Sequence, residues 1–250
     1  MKANTIHSAG RLTATHSRNS RWAALLTLIA GLGVPVIAQP LQLVTALDPA
    51  QAPPAGGGGD SWTPIISPDG RYVLFASTAN NLVLTSNAHP IPASFPARFN
   101  VFLRDRTNAT TTLVSVNLSG IAGGNGDSTP SALSTNGQYV LFESSASDLV
   151  PGDSNNATDV FVRDVVNGTT MLASVSTSGG VGSRASRSAV MTPDGRYVAF
   201  VSEANNLVPN DTNGIPDVFV RDLQAGSTAD PHRRDQPAGE RPAAAVVIDS

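Results

Sequence analysis

Three short stretches of the chain are apolar at every consecutive position: Tyr72-Val73-Leu74-Phe75, Tyr139-Val140-Leu141-Phe142 and Tyr197-Val198-Ala199-Phe200. A strand wetted on one side alternates apolar with polar residues, so a run without alternation belongs to a strand buried on both faces. Just before each run stands a turn signal, Asp69-Gly70, Asn136-Gly137 or Asp194-Gly195, in which glycine accepts a positive φ without steric cost and the chain reverses. These signals predict a hairpin whose first strand, Pro64 to Ser67 and its equivalents, runs back along the apolar one. Each run is followed by Leu-Val (Leu82-Val83, Leu149-Val150, Leu207-Val208) and then by a third strand, NVFLRD (100–105), DVFVRD (159–164) or DVFVRD (217–222). LVTA (43–46), LVSV (113–116) and LASV (172–175) supply a fourth strand, and Asn167-Gly168 is the turn leading into it. No stretch after residue 40 sustains the 3.6-residue apolar period of a helix.

The same order of segments thus occurs three times, in units of roughly 41–105, 112–164 and 170–222, with the third-strand motif recurring after 59 and then 58 residues. Such an internal repeat fixes the architecture. A four-stranded sheet whose middle strand is apolar on both sides is unstable alone. Copies stacked face to face around an axis cover both sides, and burying the large side chains of one such strand contributes roughly 1.5–3 kcal/mol each. The expected fold is all-β: a β-propeller-type arrangement of three tandem four-stranded antiparallel blades. Closed propellers have about four to eight blades, so three predict an incomplete or open ring.

The hairpin signal Ser67-Pro68-Asp69-Gly70, matched nearly by Thr192-Pro193-Asp194-Gly195 and loosely by Ser134-Thr135-Asn136-Gly137, resembles the WD-like repeat of TolB-type β-propellers. In that repeat such a turn precedes a short apolar strand. The resemblance covers about residues 41–222. It implies the fold, and an extracytoplasmic module that binds or scaffolds protein partners; it assigns no catalytic residue.

The ends of the chain read differently. Lys2, Arg11, Arg18 and Arg21 form a positive leader without an acidic residue, and an apolar run from Trp22 to Ala38 ends in Val36-Ile37-Ala38, a small-x-small cleavage site. Residues 1–38 are therefore expected to be a signal peptide, removed on export to the periplasm or medium, with no membrane span after cleavage. At about seventeen residues with three Gly or Pro positions, the run is short for a bilayer. Residues 39–228 form the repeat domain. After them the chain reads ADPHRRDQPAGERPAAAVVIDS in place of another LVSV-type strand, so 229–250 are expected to be a disordered or aberrant tail, as a truncated or frameshifted gene would leave.

Charge and composition narrow the chemistry. The chain has a net charge of −3, but all four leader charges are positive, so the remainder carries twelve Arg against nineteen Asp and Glu, about −7. A nucleic-acid surface needs a positive field, and that partner is excluded. There is no cysteine for disulfides or lipid attachment and no lysine after Lys2 for Schiff-base chemistry. After the leader only His89 and His232 remain, and no Gly-x-Ser-x-Gly elbow occurs. Glu143 and Glu203 occupy different places in the repeat, which disfavours a paired-carboxylate hydrolase. The Arg-Asp pairs at 104–105, 163–164 and 221–222 are expected to join one blade to the next.

The strongest local constellation lies between the second and third strands. Asp153, Asn155 and Asp159 in the second unit, and Asp211, Asn213 and Asp217 in the third, place oxygen side chains at relative positions 1, 3 and 7, which suits calcium, a cation of six to eight hard oxygens. The same residues equally suit turns that start the third strand. In the first unit residues 84–99 have no carboxylate, and Asn100 stands where the others have Asp159 and Asp217. These connections are expected to share one end of the blades with the Gly-rich links at 56–59, 120–126 and 179–182. That end is the expected binding surface. The sequence thus points to a non-catalytic, extracytoplasmic protein-binding propeller, with a calcium-dependent surface or adhesion module and a propeller remnant of a larger hydrolase as alternatives.

Overall fold

The computed structural model describes residues 56–85 and 88–231, all within the unit Gln42–Ser250. The expected signal peptide, the LVTA strand and residues 232–250 lie outside the described residues. Among the described residues there are twelve strands in three antiparallel sheets and no helix. The first sheet contains β1 (Ser61–Ile66), β2 (Tyr72–Ser77), β3 (Asn100–Asp105) and β4 (Thr110–Leu113). The second contains β5 (Ser128–Leu133), β6 (Tyr139–Ser144), β7 (Asp159–Asp164) and β8 (Thr169–Leu172), and the third β9 (Ser186–Met191), β10 (Tyr197–Ser202), β11 (Asp217–Asp222) and β12 (Ser227–Ala229). Each sheet follows chain order.

The first hairpin of each sheet closes as the Ser/Thr-x-Asp/Asn-Gly signal predicts. Gly70, Gly137 and Gly195 donate their N–H to the carbonyl of the residue three before, at 2.8, 2.9 and 2.8 Å, and all three have positive φ. The Ser67 hydroxyl donates to Asp69 Oδ1 and accepts Tyr72 N–H at 2.9 Å; Ser134 and Thr192 repeat both bonds. The connection spans five residues, 67–71, between β1 and β2.

Two boundaries differ from the sequence reading. The first strand begins earlier, at Ser61, Ser128 and Ser186, and carries an irregularity in each sheet. The fourth strand comes three residues before the LVSV-type motif. The carboxylate at the end of the third strand sets this register: Asp105 Oδ1 accepts N–H from Thr107 and Asn108, Asp164 from Val166 and Asn167, and Asp222 from Gln224 and Ala225. The turn closes so tightly that Thr110 already pairs with Asp105, and a β-branched run, Thr110 to Thr112, suits the outer strand. β12 runs through Ala229, which pairs with Val220 and is buried, one residue past the expected end of the repeats.

The apolar second strands are sealed on both sides. In β6, Val140, Leu141 and Phe142 are all fully buried. One side of each sheet, here called leading, carries Val140, Phe142 and Phe161 and packs on the preceding sheet, against Leu74, Val101 and Leu103. The other, trailing side carries Leu141, Val160 and Val162 and packs on the next, against Val198, Phe200 and Phe219. Phenylalanines paired across the second and third strands stack in every sheet, with centroids 5.8, 5.5 and 5.9 Å apart.

Polar contacts fix each junction. Ser128 donates its N–H to Phe99 O at 2.8 Å, and Ser186 likewise to Thr158 O at 2.7 Å. The rings of Tyr72 and Tyr139 lie over the hairpin glycine of the next sheet, where a Cβ on Gly137 or Gly195 would stand 2.5 Å from a ring carbon. That glycine therefore serves both the turn and the neighbouring blade.

Candidate binding face

Antiparallel order puts the turns 67–71 and 106–109, and their equivalents, at one end of the sheets. The connections 78–99, 145–158 and 203–216 share the opposite end with the inter-sheet links 114–127 and 173–185. The links are clamped to that end by one repeated residue. Asp148 accepts Leu118 N–H on its carbonyl at 2.8 Å and Asn125 N–H on Oδ1 at 2.9 Å; Asn206 does the same for Thr177 and Ser183. Asn81 Oδ1 accepts Gly58 N–H at 2.8 Å. This clamp went unrecognised in the sequence, although an Asn or Asp before each Leu-Val pair was its signal.

Apolar side chains project from the same end. Phe95 in the first connection, Leu118 and Ile121 in the first link and Ile215 in the third connection are all exposed. The Arg98 guanidinium lies 3.8 Å from the Asp127 carboxylate at the base of this rim.

The six Asp and Asn residues singled out for calcium lie in two of the connections. In the second sheet Asn155 donates its amide to Asp159 Oδ2 at 2.7 Å and to Gly182 O at 2.9 Å, and its oxygen accepts Ala157 N–H. Asn213 repeats the pattern with Asp217 and Ile215 N–H in the third. Asp153 and Asp211 are half-buried nearby in sequence. In this arrangement both asparagines turn a nitrogen, not an oxygen, toward the carboxylate. Among the described residues no three His, Asp or Glu side chains come together as a metal site.

Asp159 is fully buried. Its other oxygen accepts the Ser174 hydroxyl at 2.8 Å, and Ser174 in turn accepts Val160 N–H. Burial pushes the Asp159 carboxyl up to about 6 against the pull of Asn155 and Ser174, and the Asp153 charge adds to the rise. Burial also raises Asp153. In the first sheet the neutral Asn100 holds the equivalent place, with Ser115 as its partner at 3.0 Å. The role of Ser115 and Ser174, as anchors for the start of the third strand in the first two sheets, was thus hidden in a motif read as a strand.

The Arg-Asp pairs do not join blades. Asp105 and Asp222 pair with Arg71 and Arg196 of their own sheets at 2.8 Å, and Asp164 accepts Gln138 at 3.0 Å. Arg104, Arg163 and Arg221 donate to Thr111, Thr170 and Thr228 on the adjoining fourth strand. The register explains this, since the first turn brings residue 71 opposite the end of the third strand. The Arg71 and Arg196 guanidiniums hold Asp105 and Asp222 down at about 2. Glu143 and Glu203 are both engaged: Glu143 accepts Ala189 N–H at 2.9 Å and Glu203 pairs with Arg187 at 2.7 Å. His89 is exposed.

Tandem four-stranded antiparallel sheets stacked face to face define a β-propeller-type protein whose described sheets do not close a ring. Solved structures similar to it include a protein assigned as TolB and other β-propeller domains. The propeller domain of the trilobed protease from Pyrococcus furiosus, which has an open velcro topology, is 11% identical, with a TM-score of 0.42 over 69% of this chain and 41% of that one. A protein assigned as TolB from Agrobacterium tumefaciens is 16% identical, with a TM-score of 0.37 over 72% of this chain and 64% of that one. An acylaminoacyl peptidase from Pyrococcus horikoshii is 11% identical, with a TM-score of 0.39 over 69% and 24%. The chain thus spans less than two thirds of each. No protein-family model and no curated protein sequence matches. Among the described residues no helix is long and apolar enough to cross a membrane.

Proposed function

We propose that this chain is an exported, non-catalytic propeller module that binds a protein partner through the end of the sheets carrying the long connections. One observation carries the reading: Phe95, Leu118, Ile121 and Ile215 are all exposed on segments at that end, Leu118 and Ile121 on a link clamped by Asp148. Exposed apolar groups rimmed by polar ones, on loops held by a rigid scaffold, are the usual make-up of a protein-binding surface. The leader supports export, and the negative balance of the remaining chain supports a partner other than nucleic acid.

A capture experiment on the immobilised full chain tests it. An extract of the host cell envelope is passed over the wild type, over a triple variant Phe95→Ser, Ile121→Ser, Ile215→Ser, and over Val166→Ser, which alters an exposed residue at the opposite end. The expected result is a protein retained by the wild type and Val166→Ser and lost from the triple variant, with or without calcium. Retention by all three contradicts the reading. Retention that requires calcium and disappears in Asp153→Asn replaces it with the calcium-dependent module.

A further inference from the structure

At the hairpin end of the sheets one arrangement of side chains is complete twice and incomplete once. In the first sheet the residue after the hairpin glycine is Arg71. Its Nε and Nη2 donate to Asp105 at 3.2 and 2.8 Å, and its guanidinium carbon lies 4.7 Å from the centroid of the Tyr72 ring. Arg196 does the same in the third sheet, donating to Asp222 at 3.2 and 2.8 Å and lying 4.8 Å from the Tyr197 centroid. A carboxylate and an aromatic face thus hold one guanidinium between them.

The second sheet has the same carboxylate and ring, since Tyr139 faces Asp164 across the strands as Tyr72 faces Asp105 and Tyr197 faces Asp222. In place of the arginine it has Gln138, whose neutral amide gives Asp164 Oδ2 a single hydrogen bond at 3.0 Å. Among the described residues no cation pairs with Asp164 and none lies over Tyr139. Burial raises the Asp164 carboxyl, but hydrogen bonds from Asn167, Gln138 and Val166 outweigh it and hold the group below its ordinary value, so the charge is present at pH 7.

Both groups open on space. Asp164 and Tyr139 line a cleft of about 590 Å3 between the second and third sheets, with Met171 and Leu223 as apolar wall and Asp194 and Arg196 contributed by the third sheet. Arg196 is engaged by Asp222, so Asp164 and Asp194 leave the cleft a net negative charge.

We propose that this cleft binds a guanidinium group supplied from outside the chain, paired with Asp164 and seated against the ring of Tyr139. The incoming group exchanges the neutral hydrogen bond from Gln138 for a charge-assisted pair, and the apolar stem of an arginine side chain lies along Met171 and Leu223. The site is at the end opposite the long connections, so it stands or falls independently of the partner surface proposed there.

Isothermal titration of the full chain with arginine amide, and with the capped tripeptide acetyl-Gly-Arg-Gly-amide, tests the proposal. Saturable binding in the millimolar range is expected. Gln138→Arg fills the site from within, as Arg71 and Arg196 do in their own sheets, and is expected to weaken binding by about 10-fold or more, a charge-assisted pair being worth that much. Two sheets already accept arginine at this place, and circular dichroism checks that the variant is folded. Asp164→Asn is expected to show a similar loss. Lysine amide, whose ammonium makes no planar two-point contact, is expected to bind about 10-fold more weakly than arginine amide. Tighter binding of the tripeptide than of arginine amide makes an arginine on a peptide or protein the source of the group, and the reverse order makes it a small guanidinium. No saturable binding of either ligand in the millimolar range overturns the proposal. So does binding that Gln138→Arg leaves unchanged, or that lysine amide equals.

Discussion

Phe161→Ala lowers the unfolding free energy of the chain by about 3–5 kcal/mol, the range for deleting a fully buried phenylalanine side chain. Phe161 has no exposed surface, stacks on Phe142 at 5.5 Å, and projects from β7 into the junction with the first sheet, where Leu74, Val101, Leu103 and Val114 surround it. The cavity therefore opens between two blades, and neither closes it alone because each is pinned by its other neighbour or its own turns. Urea denaturation gives the measurement, with an unchanged slope showing that the loss lies in the folded state. Val166→Ala, on an exposed turn of the same sheet, should move the midpoint little, within about 0.5 kcal/mol. Equal effects of the two substitutions would mean that the junction contributes nothing.

Asp159→Asn raises stability at pH 7 and removes a pH dependence. Burial holds the native carboxyl at about 6, against an ordinary value of 3.8, so between about pH 4 and pH 6 the folded chain binds more protons than the unfolded one. Stability from this group then rises as pH falls through that window, and its full cost is present above pH 6. About two units correspond to roughly 3 kcal/mol. The amide variant also loses the hydrogen bond from Asn155, so a net gain of roughly 1–2 kcal/mol is expected at pH 7. Asn100 already occupies this place in the first sheet, so the fold accepts the neutral side chain. Asp105 and Asp222 act with the opposite sign. Held at about 2 by Arg71 and Arg196, they stabilise the fold above about pH 4 and lose that contribution as pH falls toward 2. Wild-type stability should therefore peak near pH 4, and Asp159→Asn should flatten the slope on the neutral side alone. A variant that keeps the wild-type slope between pH 4 and 6 would show that Asp159 does not cause it.

The parts of this fold that local chemistry dictates were legible in the sequence. The third-strand motifs at 100–105, 159–164 and 217–222 are β3, β7 and β11, because three apolar residues followed by an Arg-Asp pair end where an Asp can start a turn. The hairpins were legible because a serine or threonine hydroxyl, an Asp or Asn and a glycine close the turn within five residues. The fourth strand was misplaced because its register depends on the Asp105-type turn, and the apolar LVSV motif masks the threonine run that pairs. Contacts distant in sequence were not legible. Arg71 finds Asp105 across 34 residues, and the buried state of Asp159 depends on Ser174 and on Gly182 beyond it.

The Asp and Asn residues of the long connections show the same limit from the functional side. Their spacing suits a cation loop and a turn equally well, and in the structure the Asn155 and Asn213 side-chain oxygens accept backbone N–H groups two residues on. The end that carries the long connections was legible in outline, because strand order alone assigns them to it. The apolar residues exposed there, Phe95, Leu118, Ile121 and Ile215, look in the sequence like any other loop residues.

Native-state amide hydrogen exchange tests most directly whether the sheets exist only by virtue of their stacking. β6 and β7, sealed on both faces, should exchange slowest, and their protection should collapse together with that of β2 and β10 in a single cooperative opening as urea is raised. Protection in β6 no greater than in the outer strands β4 and β12, or an opening of the second sheet independent of its neighbours, would contradict it.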